Sequence, residues 1–592
     1  MDRAHGAPVI TENGNMTTSH YSPPLEEAVF LLDRVMDWSD LFARPAFAHA
    51  DAGVARAVLT EGARFAATVL APLNRVGDEQ GCRLENGRVR LPPKFVAAFR
   101  EFAAAGWPGL DMPRQAGGQD LPLSVQVAFA EMVNGACVAF GMVPTTMRAG
   151  GRLLLEHAEP RLAELIVPKL VSGEWTATIC ITEAQAGSDV GRIRTRAVRR
   201  DDSRYELSGT KIFISFGDHD LTEQIIHLVL ARTPDSPPGT QGISLFAVPA
   251  RGIEDGERNG VSVSRLEKKM GLKASPTCVL DLDRALGWRI GPECHGLRCM
   301  FTMVNLMRLE VAIEGVGLAQ AATEKALHYA LERPQGGRPE SPPVMIGEHA
   351  DVRRMLSIMQ ARTRAMRALV FETARYLDLA RAADQDTERK AARMLAEFLL
   401  PVCKTCASEM GFEVSSLAVQ VFGGHGYVAD TGVEQYVRDS RVMAIYEGTS
   451  GIQALDLLAR KVLRDGGARY GLFVAAIQRD LERHGAQPDC RDLLVPLSDA
   501  LRRLQECTAW VQDRAAEFPR DVEAAATDYL QLVGLVACAW MWLRMAAAAD
   551  AGSDSDRERR RLAHFYMQWL LPQAGVHAAR IRLGSQLIDK QT

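Results

Sequence analysis

A chain of 592 residues is too long for one hydrophobic core and implies several packed modules. Hydrophobic residues make up 47% and charged residues 24%, with a formal net charge of -4, which excludes a disordered chain and a wholesale nucleic-acid binder. The eleven cysteines are odd in number and scattered, and the first residues show no basic-then-apolar leader, so free thiols and a cytoplasmic location are expected.

In chain order, residues 1–54 read as an N-terminal extension, polar and then moderately apolar (Val29 to Leu32, Trp38, Leu41, Phe42), that packs on a neighbouring surface. Helical apolar spacing begins at Val54 and runs through Phe95, Phe99 and Phe102 to Leu170, predicting an all-helical domain over 55–174. The period then changes. Trp175 to Thr182, Tyr205 to Leu207, Lys211 to Ser215, Ile225 to Ala231, Gly242 to Val248, Val261 to Val263 and Thr277 to Leu282 are short β-rich runs separated by turn signals, predicting a small barrel or two packed sheets over 175–300. Helical spacing returns in Arg308 to Glu332, Val352 to Leu379, Lys390 to Ala418 and Ile452 to Leu463, enough for a four-helix bundle over 301–465. Residues 466–592 form a further helical domain whose charges nearly cancel.

Two runs invite a special reading and are expected to be plain. Cys403 and Cys406 form a lone CxxC, expected as two buried thiols on adjacent helical turns. Tyr529 to Leu543 is the most apolar run, shorter than the roughly 20 residues a span needs. It is expected to be a buried bundle helix.

The stretch that carries chemistry is Ile445, Tyr446, Glu447, Gly448, Thr449, Ser450, Gly451. It sets one carboxylate between an aromatic residue and a glycine with apolar residues behind it. Burial raises a carboxyl pKa, so such a glutamate is poised as a general base. Taken alone, the stretch also reads as a helix start capped by Thr449 or Ser450, with Glu447 a solvated loop acid.

Three motifs share a known order. Thr182 to Asp189 (TEAQAGSD), Gln420 to Tyr427 (QVFGGHGY) and Tyr446 to Ser450 (YEGTS) resemble, in sequence and spacing, the acyl-CoA dehydrogenase family. Lys268 to Cys278, Met300 to Arg308 and the long C-terminal extension are most similar to its large 3-methylmercaptopropionyl-CoA dehydrogenase-like subgroup. The resemblance implies a mainly α fold with a β-barrel middle domain: helical bundle, β-barrel, four-helix bundle, and here a helical C-terminal extension.

It also implies FAD as cofactor and dehydrogenation of an acyl-CoA thioester to the trans-2-enoyl-CoA. Glu447 would take the α proton while a hydride passes to flavin N5. By the same resemblance, Ile179, Ile181 and Thr182 would lie along the isoalloxazine, and Gly187 and Ser188 near the pyrophosphate or the thioester ligand. Phe213, Ile214 and Ser215 match a flavin-stacking triplet in which tryptophan is usual, so the indole N–H is lost. Arg333 would reach the flavin diphosphate of a neighbouring subunit, with Gln335 beside it, and Gln420, Gly423 and Gly424 would receive the adenine end. Thr449 and Gly451 would complete the loop. Ser188, Asn305, Arg308 and Gly448 would contact the substrate. Arg308 alternatively pairs with Glu310 or Glu314.

The partners implied are an acyl-CoA, an electron-transferring flavoprotein as acceptor, and a second copy of the chain in at least a homodimer. No nucleic acid, metal or membrane span is expected. An acyl-CoA oxidase using oxygen would share the same motifs. A DNA-binding alkylation-response flavoprotein would need a clustered basic face. The only dense basic run, Arg557 to Arg561, contains an acid and is expected to be a solvated helix face.

Overall fold

The computed structural model describes residues 21–550 and 552–589. An N-terminal arm, α1 (Leu25–Phe30) and α2 (Trp38–Ala43), leads into α3 (Ala52–Phe65), α4 (Ala71–Gln80), α5 (Pro93–Ala104), α6 (Leu123–His157) and α7 (Pro160–Val171). Local chemistry sets these starts. Asp51 accepts the Val54 amide at 2.8 Å to cap α3, and α5 and α7 each begin on a proline, whose missing N–H costs nothing in a first turn. The first domain is not all-helical: β1 (Arg83–Glu85) and β2 (Arg88–Arg90) form an antiparallel hairpin about Asn86 and Gly87. Its runs are too short and too charged to stand out as strands.

The middle domain holds β3 (Trp175–Cys180), β4 (Arg196–Arg199), β5 (Tyr205–Ser215), β6 (Gln224–Arg232), β7 (Ile243–Pro249), β8 (Val261–Leu266) and β9 (Thr277–Ile290). Pairings β6 to β4, β4 to β5, β5 to β9, β9 to β7 and β7 to β6 return to their starting strand, so five strands close a barrel, with β3 parallel to β6 and β8 antiparallel to β9 alongside. The closure at β4 rests on a single register pair, Arg196 with Arg232. Two separately expected runs, 205–207 and 211–215, are one strand, and β4, rich in arginine, was absent from the expectation.

The second helical domain comprises α8 (Gly296–Glu332), α9 (Ala350–Ala382), α10 (Asp386–Phe422), α11 (Val433–Ser440) and α12 (Ser450–Leu455), the last continued as a π-turn run over Asp456–Leu463. Helix α8 is its axis and touches neighbours on two sides through glycine. A Cβ at Gly315 would stand 2.4 Å from the Ala407 carbonyl of α10, and one at Gly317 would stand 2.8 Å from both the Glu131 carbonyl and the Gly135 amide of α6. Side chains on α8 therefore meet both domains.

The remaining helices are α13 (Ala468–His484), α14 (Arg491–Arg514), α15 (Pro519–Ala548), α16 (Asp554–Phe565) and α17 (Gln573–Ile581). Helix α15 is longer than the apolar run implied, at 30 residues. It and α6 are long and apolar enough to cross a membrane, and both are packed inside the fold. Trp540 donates to Asp480 at 2.7 Å and Trp542 to the Ala361 carbonyl at 3.2 Å. The arm straps this domain: Glu27 binds Arg559 at 2.8 Å, the Arg559 guanidinium lies 3.7 Å over the Phe30 ring, and Arg34 binds Asp550 at 2.9 Å. The basic run on α16 is paired along its length: Arg557 with Asp554, Arg559 with Asp556, Arg560 with Asp489, Arg561 with Glu558. Arg559 is buried rather than solvated.

Candidate active site

The loop between α11 and α12 is held from both sides. Ser408 of α10 donates to the Lys404 carbonyl at 2.6 Å and sits 3.1 Å from that of Met443. Lys404 Nζ donates to the Gly448 carbonyl at 2.7 Å, and Gln453 Nε2 donates to the Glu447 carbonyl at 3.1 Å. Thr449 Oγ1 caps α12 by accepting the Ile452 amide, so the plain reading of that residue holds as well. Glu447, however, is half-buried and not a solvated acid. Its φ of 51° is followed by 88° at Gly448. An L residue in the left-handed region costs about 1–2 kcal/mol, and the three tethers hold it there.

Burial raises the Glu447 pKa, and the charges of Lys404 and Arg308 oppose it. Desolvation in turn brings Lys404 down to about 8. Arg308, 6% exposed, reaches Asp456 of the π-turn run at 3.0 Å. Glu310 and Glu314 are not its partners. Burial works against the Asp456 charge, yet Lys461, Arg308 and Arg460 together hold its pKa below the usual value. Behind Glu447 stands a second carboxyl. Tyr446 donates its phenol to Glu314 of α8, and burial pushes Glu314 up to about 8, with Glu310 and Glu447 adding to the rise. The site thus holds two neighbouring carboxyls of which one, Glu314, keeps its proton at neutral pH.

The barrel offers a second surface. Glu183 sits in a tight turn with Ala186 and ties Arg194, Thr195 and Lys211 together, the last at 2.8 Å, and this charged knot keeps its pKa at about 2 against burial. Beyond the turn Gly187 and Ser188 are exposed, and Ile179, Ile181 and Thr182 are half-buried beside it. The pairing of β5 with β9 slips between Lys211 and Ile214; Ile212 bonds the Thr182 carbonyl at 2.9 Å instead. Such a bulge re-aims a side chain. Phe213, at φ 60°, turns its ring outward to 60% exposure, while Ile214 is buried and Ser215 half-buried.

These residues fit a flavin dinucleotide: an outward aromatic ring, hydroxyls at Thr182, Ser188 and Ser215, and glycines whose missing Cβ leaves open space. At Gly187, Gly423, Gly424 and Gly451 no atom lies within 4 Å of an added Cβ. Arg333 caps the end of α8, and Gln335 lies on the following loop with its carbonyl bonded by His349 at 2.7 Å; both are exposed, as is Gln420. Tyr329 stacks on Phe422 at 4.0 Å, so the ends of α8 and α10 bring Arg333 and the glycine loop together. Asn305 is half-buried one turn before Arg308. Glu447, Gly448 and Arg308 form one cluster; Arg333, Gln335, Gln420, Gly423 and Gly424 form another at the far end of α8.

Lys404, Glu314, Tyr446 and Asp456 escaped assignment from sequence. The available signals were a lysine between the two CxxC thiols and two glutamates inside the apolar run of α8. The thiols themselves are buried on α10, and burial pushes Cys403 up to about 12.

Known families account for most of the chain. Models described as acyl-CoA dehydrogenase, N-terminal domain, middle domain and C-terminal domain match residues 55–174, 178–285 and 295–463, and one described as acetyl-CoA dehydrogenase C-terminal like matches 473–589. The chain is 40% identical to 3-methylmercaptopropionyl-CoA dehydrogenase of Ruegeria pomeroyi, covering 88% of this chain and 90% of the relative. It is 32% identical to the broad-specificity linear acyl-CoA dehydrogenase FadE5 of Mycobacterium tuberculosis, covering 88% and 89%. In fold it is similar to Caenorhabditis elegans ACDH-11 in complex with C11-CoA, at TM-score 0.81 and 22% identity over 99% and 98% of the chains. A Bacillus anthracis acyl-CoA dehydrogenase complexed with FAD aligns at TM-score 0.69 and 22% identity over 83% of each. The chain belongs to the acyl-CoA dehydrogenase family, FAD-binding oxidoreductases that act on CH–CH bonds.

Proposed function

We propose that this protein dehydrogenates an acyl-CoA thioester between Cα and Cβ, with Glu447 as the base and an electron-transferring flavoprotein as the final acceptor. The observation that supports this reading most directly is Glu447 itself, a half-buried acid fixed in a strained backbone conformation with two cations near it and none bonded to its carboxylate. Desolvation strengthens it as a base, and the charges of Lys404 and Arg308 favour its ionised form. The thioester carbonyl makes the α proton acidic. Glu447 takes that proton, the electron pair of the broken C–H bond forms the Cα–Cβ double bond, and Gly448 leaves room for the thioester beside it. Bound FAD would supply the acceptor for the hydride leaving Cβ. Phe213 would stack on the flavin, with Ile179, Ile181, Thr182 and Ser215 along it and Gly187 and Ser188 at the phosphates.

The second cluster supports a homodimer. From Arg308 to Arg333 is 25 residues of continuous helix, about 37 Å at 1.5 Å per residue, more than one flavin dinucleotide spans. Arg333, Gln420, Gly423 and Gly424 therefore serve the flavin of a second copy, consistent with a twofold assembly. Eleven free thiols fit a reducing, cytoplasmic setting. The printed names of two relatives point to 3-methylmercaptopropionyl and linear acyl thioesters.

Anaerobic titration of the FAD-loaded protein with butanoyl-, hexanoyl- and 3-methylmercaptopropionyl-CoA tests the reading: at least one ester bleaches the flavin. Glu447→Gln keeps the yellow holoprotein and slows bleaching by about 100- to 10,000-fold. Normal bleaching in that variant would remove Glu447 from the reaction.

A further inference from the structure

Helix α6 is two arms. Cys137, at φ -160° and ψ 93°, breaks it into 123–136 and 138–157, so residues on both arms face the same space. At Gly135 and Gly317 the backbones of α6 and α8 touch, and beside that contact lies a cleft with about 260 Å³ of atom-free space out to its mouth. Gln126, Phe129 and Asn134 line it from one arm, Pro144 and Arg148 from the other, and Glu310 from α8. Its enclosed part admits a group of about water size.

The charges along this cleft balance. Arg148 donates to Asp111 at 2.7 Å and to Glu310 at 2.5 Å, while Arg152 holds the other Asp111 oxygen at 2.7 Å, giving two guanidinium groups against two carboxylates. On the residues lining the cleft three polar atoms are without partners: the Arg148 Nη2 donor and the acceptors Gln126 Oε1 and Asn134 Oδ1, on residues 2%, 4% and 2% exposed. Each unpartnered group works against folding unless something bonds it. Glu310 lies one helical turn, about 6 Å, from Glu314, which takes the Tyr446 phenol beside Glu447. The cleft is thus the deep neighbour of the base.

We propose that this cleft receives the distal end of a short acyl thioester that terminates in a small uncharged hydrogen-bonding group, a hydroxyl above all. The proposal rests on the dehydrogenase reading above and names the substrate class for it. A hydroxyl accepts from Arg148 Nη2 and donates to Gln126 Oε1 or Asn134 Oδ1. A methyl end leaves all three unpartnered, a long alkyl chain exceeds the space, and a carboxylate faces Glu310 with no net positive charge to receive it.

The test compares methyl-ended, ω-hydroxy and ω-carboxy esters of CoA at matched lengths, butanoyl to octanoyl. FAD-loaded wild type gives kcat/KM, and Glu447→Gln holoprotein gives Kd. At one length the ω-hydroxy ester exceeds the methyl-ended one by about tenfold in both, the worth of one added hydrogen bond. Gln126→Leu, which removes one of the two acceptors, lowers both ratios. A wild-type ratio near one at every length, or preference for the ω-carboxy ester, overturns the proposal while the dehydrogenase reading stands. Failure of every ester to bleach the flavin overturns that reading and the proposal with it. The wild-type comparison decides alone if the variant does not fold.

Discussion

Glu314→Gln isolates the second carboxyl beside the base. Glu314 is 2% exposed and accepts the Tyr446 phenol, and burial lifts its pKa from the ordinary 4.5 to about 8. Between those values the folded chain holds a proton that the unfolded chain has released. The native state binds more protons, so its stability is fullest below about pH 4.5 and falls as pH rises to about 8. At about 1.4 kcal/mol per pH unit, the interval from 4.5 to about 8 corresponds to about 5 kcal/mol. Glutamine keeps an acceptor for Tyr446 and cannot ionise. Denaturant unfolding of wild type and variant, measured side by side from about pH 5 to pH 8, is expected to show wild type losing several kcal/mol relative to the variant. Taking the difference at each pH cancels every other titrating group. Parallel stability curves across that range would show that Glu314 ionises normally, and the idea of a protonated neighbour for Glu447 would have to be given up.

Two further outcomes follow from the same geometry. Lys404→Met removes one of the two cations that oppose burial at Glu447, so the Glu447 pKa rises further. The acid limb of kcat/KM moves to higher pH, and activity lost on its acid side is regained as pH rises above it; an unmoved limb would count against Lys404 as the tuning charge. Gly317→Ala places a methyl 2.8 Å from two backbone atoms of α6 that belong to the helix wall and cannot swing aside. About 1–3 kcal/mol of stability is lost, read as a lower unfolding midpoint; an unchanged midpoint would mean the two helices are not in contact there.

The three site motifs were legible because each sets glycine and polar residues where a plain helix or strand would not have them, as at Gly187 and Ser188, at Gly423 and Gly424, and at Glu447 and Gly448. The alternation of helical and strand-like periods likewise outlined the β-barrel between helical domains. What stayed hidden depends on facing. Lys404, Glu314 and Glu310 lie in helices whose neighbours are apolar on every side, where periodicity assigns no direction. The break at Cys137, which folds Gln126 and Arg148 into one cleft, has no proline at it; the proline of that helix comes later, at Pro144. Strand β4 and the β1–β2 hairpin are half arginine, and they pair through backbone that composition does not report.

The strap between the N-terminal arm and the last domain joins residues more than 500 positions apart: Arg34 with Asp550 and Glu27 with Arg559. Ribosomal synthesis delivers residues 25–43 first, so their contacts with the last domain form only when nearly all of the protein has been made. That delay gives chaperones their substrate. Trimming either end for expression would leave the opposite end bare, and a shortened chain is expected to aggregate before any flavin could be loaded.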